Sequence, residues 1–164
     1  MRIVIDPFKK ESIDAAIKQL EQYERDFKAK EVEFIRRLKE LGVSVATTGF
    51  AMAEYDGTND VLIAETQSGT RAAVIAYGET VAFIEFGTGI KFPEWSGSGK
   101  TGYTPPSRGT YGEGRGKQPH GWWYNPDDVP PAVHTRGNPP AEAMLAARDK
   151  MIEQITTIAR EVWK

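Results

Sequence analysis

The chain has 164 residues, of which 40% are hydrophobic and 27% are charged, and its formal net charge is −2. This length fits a single domain, and the near balance of 21 basic and 23 acidic residues argues against a disordered chain or general affinity for nucleic acid. The absence of cysteine excludes disulfides, thiolate zinc sites and cysteine nucleophiles, and only two histidines remain for metal or acid–base chemistry.

The chain starts with a short apolar run, Ile3-Val4-Ile5, which is closed by Asp6-Pro7. We predict a strand over residues 2–5, at the edge of a sheet. The run is far shorter than a signal-peptide core or the ~20 residues of a membrane span. We therefore expect a protein that is made in the cytosol and has no membrane partner.

A long amphipathic helix is predicted next, because apolar residues recur at helical spacing. They are Ile13, Leu20, Phe27, Phe34 and Leu41, with Ile17 and Leu38 alongside. Ser12 is a suitable N-cap and Gly42 a suitable residue just after the helix. Some thirty residues span about 45 Å, more than a compact domain of this size needs. Part of the helix should therefore contact neighbouring molecules, although its first half fits equally well across the protein's own sheet.

A shorter helix is predicted over residues 43–53, followed by two β-rich runs at 60–65 and 71–77. A polar turn separates the two runs, which predicts a β-hairpin. Residues 80–86 fit either a third strand or a short helix, and the spacing of their apolar side chains slightly favours the helix.

Residues 87–140 differ sharply from the rest, since they hold eleven of the sixteen glycines and nine of the ten prolines. We predict one long irregular loop within a single domain that spans residues 1–164. Asn138-Pro139 then resembles the start of a last helix that runs to Trp163. The predicted fold class is α+β, in which the two long helices pack on a small antiparallel sheet made of the hairpin and the amino-terminal strand.

Two motifs suggest chemistry but lack its usual setting. Gly97-Ser98-Gly99-Lys100-Thr101 resembles a phosphate-binding loop, yet Glu94 stands where that pattern needs glycine and no helix is predicted to follow. His120 and His134, with Asp127 and Asp128 nearby, could bind a metal ion, but metal-binding loops normally have more closely paired ligands or a supporting helix. We therefore predict no metal, no cofactor and no catalytic residue.

Glu79 and Glu85 could form a pair of carboxylates for acid–base catalysis. No pocket that excludes water can be inferred around them, so we expect Glu85 to be a surface or interface residue.

The loop carries basic and aromatic residues that could contact a partner. Arg108, Arg115 and Lys117 are candidates for contacts with DNA, although a solvated loop is the simpler interpretation. The cluster Trp122-Trp123-Tyr124 fits a satellite core under the loop, a subunit contact, or a stacking platform for sugars or bases.

The segment Phe83-Ile84-Glu85-Phe86-Gly87-Thr88 resembles a motif of the tail-completion, or head–tail joining, family of long-tailed bacteriophages. In that family a long helix and a hairpin precede this motif, and a Gly-x-Pro sequence, here Gly137-Asn138-Pro139, precedes the last helix. This chain has Glu142-Ala143 where the family commonly has Pro-Phe, and its loop is longer.

The resemblance implies a non-catalytic virion protein that assembles with itself into a closed ring, usually six-fold, around the DNA channel. Its further partners would be the neighbouring connector and tail proteins, with DNA passing through the channel. It would lie in the virion, and in the host cytoplasm during assembly. Candidate subunit-interface residues are Phe83, Glu85, Phe86, Gly87, Thr88, Trp95, Trp122, Trp123 and Tyr124. Two alternative functions are a carbohydrate-binding module that uses the loop aromatics and a small hydrolase or nuclease that uses a histidine.

Overall fold

The computed structural model describes residues 3–55, 57–88, 120–125, 129–135 and 137–164. Its elements are, in chain order, helix α1 (Lys10–Ala51), strands β1 (Leu62–Ser68) and β2 (Arg71–Tyr77), helix α2 (Val81–Phe86), strands β3 (Trp122–Tyr124) and β4 (Val133–Thr135), and helix α3 (Ala143–Val162). The α+β fold is confirmed, with its long first helix, its last helix and its small antiparallel sheet. Within the described residues, no helix has the length and apolar character of a membrane span.

Helix α1 is one continuous helix of 42 residues, where the sequence predicted two. Gly42 lies inside it rather than after its end, so the predicted break at this residue is wrong. The helix also begins earlier than predicted, with Lys9 at the N-cap position. The Ser12 hydroxyl instead accepts a hydrogen bond from the Asp6 N–H at 2.8 Å. At 1.5 Å per residue, α1 is about 63 Å long.

Two glycines of α1 allow α3 to pack very closely against it. A Cβ at Gly42 would lie 2.7 Å from Met151 Sδ, and a Cβ at Gly49 would lie 2.7 Å from Ala143 Cβ. Both distances are shorter than van der Waals contact. Ala46, between the two glycines, is fully buried. These small residues explain why the helix continues through Gly42, because packing against α3 outweighs the poor helix propensity of glycine.

The helices α1 and α3 run antiparallel, which places the end of α3 near the middle of α1. The Trp163 ring lies 5.3 Å from the Phe34 ring and 6.1 Å from the Phe27 ring, measured between centroids. An ion pair joins Arg37 to Glu161 at 3.1 Å. Helix α3 thus covers α1 from its carboxyl end back to Phe27.

Strands β1 and β2 form the predicted hairpin, which lies along the same part of α1. They pair in register from Leu62 opposite Tyr77 to Ser68 opposite Arg71. At the open end of the hairpin, the Asn59 side-chain amide donates to the Phe50 carbonyl at 2.8 Å. Near the turn, the Gln67 side-chain amide donates to the Val32 carbonyl at 3.1 Å. The hairpin therefore extends along α1 between these two points.

The main core lies where α1, the base of the hairpin, α2 and the start of α3 meet. Its buried residues are Phe50, Ile84 and Ala143. From the hairpin, Ile63 and Ala76 pack against this group. Ile84 has no exposed surface at all, so this side chain anchors α2 in the core.

Two sequence predictions about the strands need correction. Residues 3–5 form no strand, and the sheet of the described residues that packs on α1 contains only β1 and β2. The predicted irregular segment 87–140 contains a second small hairpin, in which β3 pairs antiparallel with β4. Residues 89–119 of that segment lie outside the described residues.

Replacing Gly49 by alanine tests the close contact between α1 and α3. In an exposed helix this change stabilises by up to about 1 kcal/mol, because alanine has the higher helix propensity. Here the added Cβ would press on Ala143, so we expect a loss of about 1–3 kcal/mol in the free energy of unfolding. Thr47→Ala, at an exposed position of the same helix, is the matched control and should not destabilise. Urea denaturation of both variants measures the difference, and an increase in stability for Gly49→Ala would contradict the contact.

Candidate functional site

The segment 83–88, which carries the phage-like motif, is joined through its backbone to the residues that precede α3. The Ile84 carbonyl accepts from the Ala141 N–H at 2.8 Å, and the Glu85 carbonyl accepts from the Glu142 N–H at 3.1 Å. Farther along, the Thr88 N–H donates to the Asn138 carbonyl at 3.0 Å. These bonds join parts of the chain that are fifty or more residues apart, so they close the large segment between them.

The Glu85 side chain caps the amino terminus of α3. Its two carboxylate oxygens each lie 3.1 Å from the Met144 N–H, and one of them lies 3.3 Å from the Leu145 N–H. The first amides of a helix have no partner within the helix, and their partial positive charge favours a carboxylate. The predicted cap at Asn138-Pro139 is therefore wrong, since α3 begins at Ala143 and its capping side chain comes from α2.

Glu85 is buried, with only 6% of its surface exposed, which corrects the expectation of a surface residue. Burial raises the pKa of the Glu85 carboxyl above its usual value. The amides at the start of α3 oppose this effect by stabilising the charge, whereas the neighbouring Glu142 reinforces it. Glu79, its suggested catalytic partner, is exposed. Hydrogen bonds to backbone amides give the Glu85 carboxylate a role in holding the fold.

Thr88 and Asn138 are buried polar residues that bind each other. The Thr88 hydroxyl donates to Asn138 Oδ1 and accepts from the Asn138 N–H at 3.2 Å. The Asn138 side-chain amide also donates to the Phe83 carbonyl at 3.0 Å. Gly87 adopts φ +75°, and a Cβ there would lie 2.8 Å from the backbone nitrogen of Pro140. Glycine is required at this position because it alone combines that backbone conformation with such a close approach.

The residues of the motif thus serve mainly the interior of the subunit. Glu85, Gly87 and Thr88 are buried in contacts within the chain, so they offer little surface to a neighbouring copy. Phe83 and Phe86 are half-buried and retain some exposed surface. Whether these two contact another subunit stays a prediction.

The aromatic cluster 122–124 forms strand β3, and its side chains differ in exposure. Trp123 is 65% exposed, whereas Trp122 and Tyr124 are half-buried. The Trp123 ring meets the ring of His134 edge to face, with centroids 5.2 Å apart. These two residues lie directly opposite each other in β3 and β4. The histidine is thus placed beside an exposed indole.

Several residues of the sequence predictions lie outside the described residues. They are Trp95, Arg108, Arg115 and Lys117, the glycine-rich motif 97–101, and Asp127 with Asp128. Among the residues that the structure does describe, no group of three or more histidine, aspartate and glutamate side chains is placed to hold a metal ion.

Sequence analysis missed two features of this region. Asn138 was assigned to a helix cap, whereas it binds both Thr88 and Phe83. Glu142 adopts φ +48°, an uncommon conformation for a residue with a side chain, where the chain turns into α3. The sequence did contain a signal for the Asn138 contacts, because a Gly-Thr pair and a Gly-Asn pair flank the long insertion. Nothing in the sequence indicated the backbone conformation of Glu142.

Comparison with known proteins gives no relative for this chain. No protein-family model matches it, and no curated protein and no solved structure is significantly similar.

The buried Glu85 predicts a pH dependence of stability. Because its pKa is raised on folding, the folded protein retains this proton at pH values where the unfolded chain has lost it. The contribution of Glu85 to stability is therefore largest near pH 4 and falls as the pH rises through the raised value. Glu85→Gln cannot ionise, so the stability of the wild type minus that of the variant should decrease between pH 4 and pH 8.

Chemical denaturation at a series of pH values measures this difference. The subtraction removes the effect of other titrating groups on stability. Glu33 is one of them: hydrogen bonds from Arg36 and Arg37 lower its pKa to about 2, so its contribution to stability is lost as the pH falls. Glu79→Gln, at an exposed position, is the matched control. A constant or rising difference for Glu85→Gln would contradict the raised pKa.

Proposed function

We propose that this chain is a non-catalytic structural protein of a tailed bacteriophage, which assembles into a ring at the head–tail connector or tail-completion position. The motif at residues 83–88 and its partner Gly137-Asn138-Pro139 suggested this function. Their direct contact supports the proposal, because the two parts of the chain that carry the resemblance form one structural unit. The ring is expected to be six-fold and to bind the adjoining connector and tail proteins, with DNA passing through the channel.

The observation that carries the proposal is the apolar surface of α1 that the other described elements leave exposed. We call its first 17 residues, 10–26, the amino-terminal arm. The arm lies beyond Phe27, which packs against the end of α3, and beyond Val32, which binds the turn end of the hairpin. Ile17 and Leu20 on this arm are about half exposed, at 48% and 52%, whereas the small side chain of Ala16 is buried. A contiguous apolar surface of this kind is typical of proteins that bind other proteins.

Self-association is the first consequence of the proposal. The purified protein should form a discrete closed oligomer as its concentration is raised, because apolar surfaces of neighbouring copies would be removed from water. Native mass spectrometry and mass photometry, from nanomolar to micromolar protein, measure the number of copies. Immunodetection in purified virions tests the location. A protein that stays monomeric at every concentration and is absent from virions would reject the proposal.

A second candidate is a carbohydrate-binding module, which the exposed Trp123 beside His134 favours. Aromatic rings at protein surfaces can stack on the apolar faces of sugars. This function predicts glycan-array binding that is lost in Trp123→Ala and kept in Asn125→Ala, an exposed neighbour. Binding of no glycan by the wild type, or equal binding by both variants, would exclude the use of Trp123 in this way.

A further inference from the structure

The hairpin presents a second uncovered apolar surface, on the side that faces away from α1. One face of the hairpin packs inward, where Lys39 pairs with Glu65 at 2.9 Å and Val74 lies beside Gly42. Side chains alternate along a strand, so the remaining positions point outward. We call these the outer hairpin face: Leu62, Ala64, Thr66, Ser68, Arg71, Ala73, Ile75 and Tyr77.

The outer hairpin face is apolar and exposed. Leu62, Ile75 and Tyr77 are between 44% and 56% exposed. Arg71, next to the turn, is the one charged side chain of the eight, although one side of a small antiparallel sheet usually faces water with polar residues. Between the base of the hairpin and Ala73, this face is therefore unusually apolar for a surface in contact with water.

We propose that the amino-terminal arm of one copy packs on the outer hairpin face of the next copy. This inference rests on the proposed ring and names the surfaces that would form it. Both surfaces are apolar, and their lengths agree, since 17 helical residues span about 25 Å and seven strand residues span about 23 Å. A helix about 10 Å wide matches the width of two strands.

The contact has to form between different copies. Helix α1 is continuous, so the arm keeps the direction of the part of α1 that lies against the inner face of its own hairpin. The outer face of that hairpin points away from α1, and a straight helix cannot reach it. The arm of one copy can therefore reach the outer hairpin face of another molecule only. A contact between two different surfaces of identical copies repeats from copy to copy and closes into a ring when the rotation permits.

The size of the contact favours a ring over a dimer. An arm about 25 Å long and 10 Å wide has a footprint of roughly 250 Å². Stable complexes usually bury about 800 Å² on each partner, so one such contact is too small to hold a pair together. In a closed ring every copy makes two of these contacts. We therefore expect monomers and complete rings to dominate, with few intermediate species.

Engineered disulfides test the contact directly, because the chain has no cysteine of its own. Leu20→Cys and Ile75→Cys are both at exposed positions, so the fold should tolerate them. Mixing the two single variants under mild oxidation should give the mixed disulfide as the main product. Lys18→Cys, on the opposite side of the arm, replaces Leu20→Cys in the control and should give at least tenfold less mixed product. The variant with both cysteines should form covalent ladders that end at the ring's copy number.

Each other outcome has a distinct meaning. A dominant disulfide between two Leu20→Cys chains would show that the arms pair with each other, which overturns this contact. Discrete rings without the mixed disulfide would overturn it as well, while leaving the proposed function intact. Absence of any oligomer would reject both.

A substitution in the arm provides a second measurement that does not need oxidation. Ile17→Glu should raise the protein concentration required for assembly at least tenfold, because it places a charge in the apolar contact. Lys18→Glu is the control and should leave that concentration unchanged. The far-UV circular dichroism and the unfolding midpoint of both variants should match the wild type, since Ile17 is half exposed in the single copy. Unchanged assembly of Ile17→Glu would exclude the arm from the interface.

Discussion

The close approach of α1 and α3 at Gly42 and Gly49 is the constraint on which the remaining structure depends. Because these positions have no side chain, Met151 and Ala143 can pack directly against the backbone of α1. This contact places the start of α3 beside Phe50 and Ile84, where the core forms. The start of α3 in turn offers its free amides to Glu85, which joins α2 to the two helices. The segment 83–88 therefore reaches its position as a consequence of helix packing.

The motif that suggests a phage origin has a structural explanation within one copy. Its glutamate caps a helix, its glycine permits a close turn, and its threonine binds a buried asparagine. Such roles would preserve these residues in any protein that closes a long insertion against its last helix. The proposal of a ring consequently depends on surfaces elsewhere, namely the amino-terminal arm and the outer hairpin face. The motif itself describes how a single copy is folded.

Local sequence signals predicted the elements of this fold but not its long-range contacts. The hairpin was predictable because two β-rich runs flank a turn at Gly69, and the heptad of apolar residues indicated the long helix.

The role of Gly42 was misjudged because a glycine favours the end of a helix unless a partner helix requires its small size. That partner helix is about a hundred residues away in the sequence. The cap of α3 was misplaced for the same reason, since Asn138 is a good local cap and Glu85 is distant in sequence. The second hairpin was missed because its short strands lie among glycines and prolines, although Trp122-Trp123-Tyr124 has strong strand propensity.

The continuous helix α1 also has a mechanical consequence. Helix α1 is held by α3 and the hairpin along its carboxyl-terminal half, and the amino-terminal arm extends from that half as a stiff rod. Lys10 lies about 25 Å along the helix from Phe27, so a tilt of about 10° of α1 against α3 would move the tip by roughly 4 Å. A change in the core can therefore displace the end of the arm without any hinge.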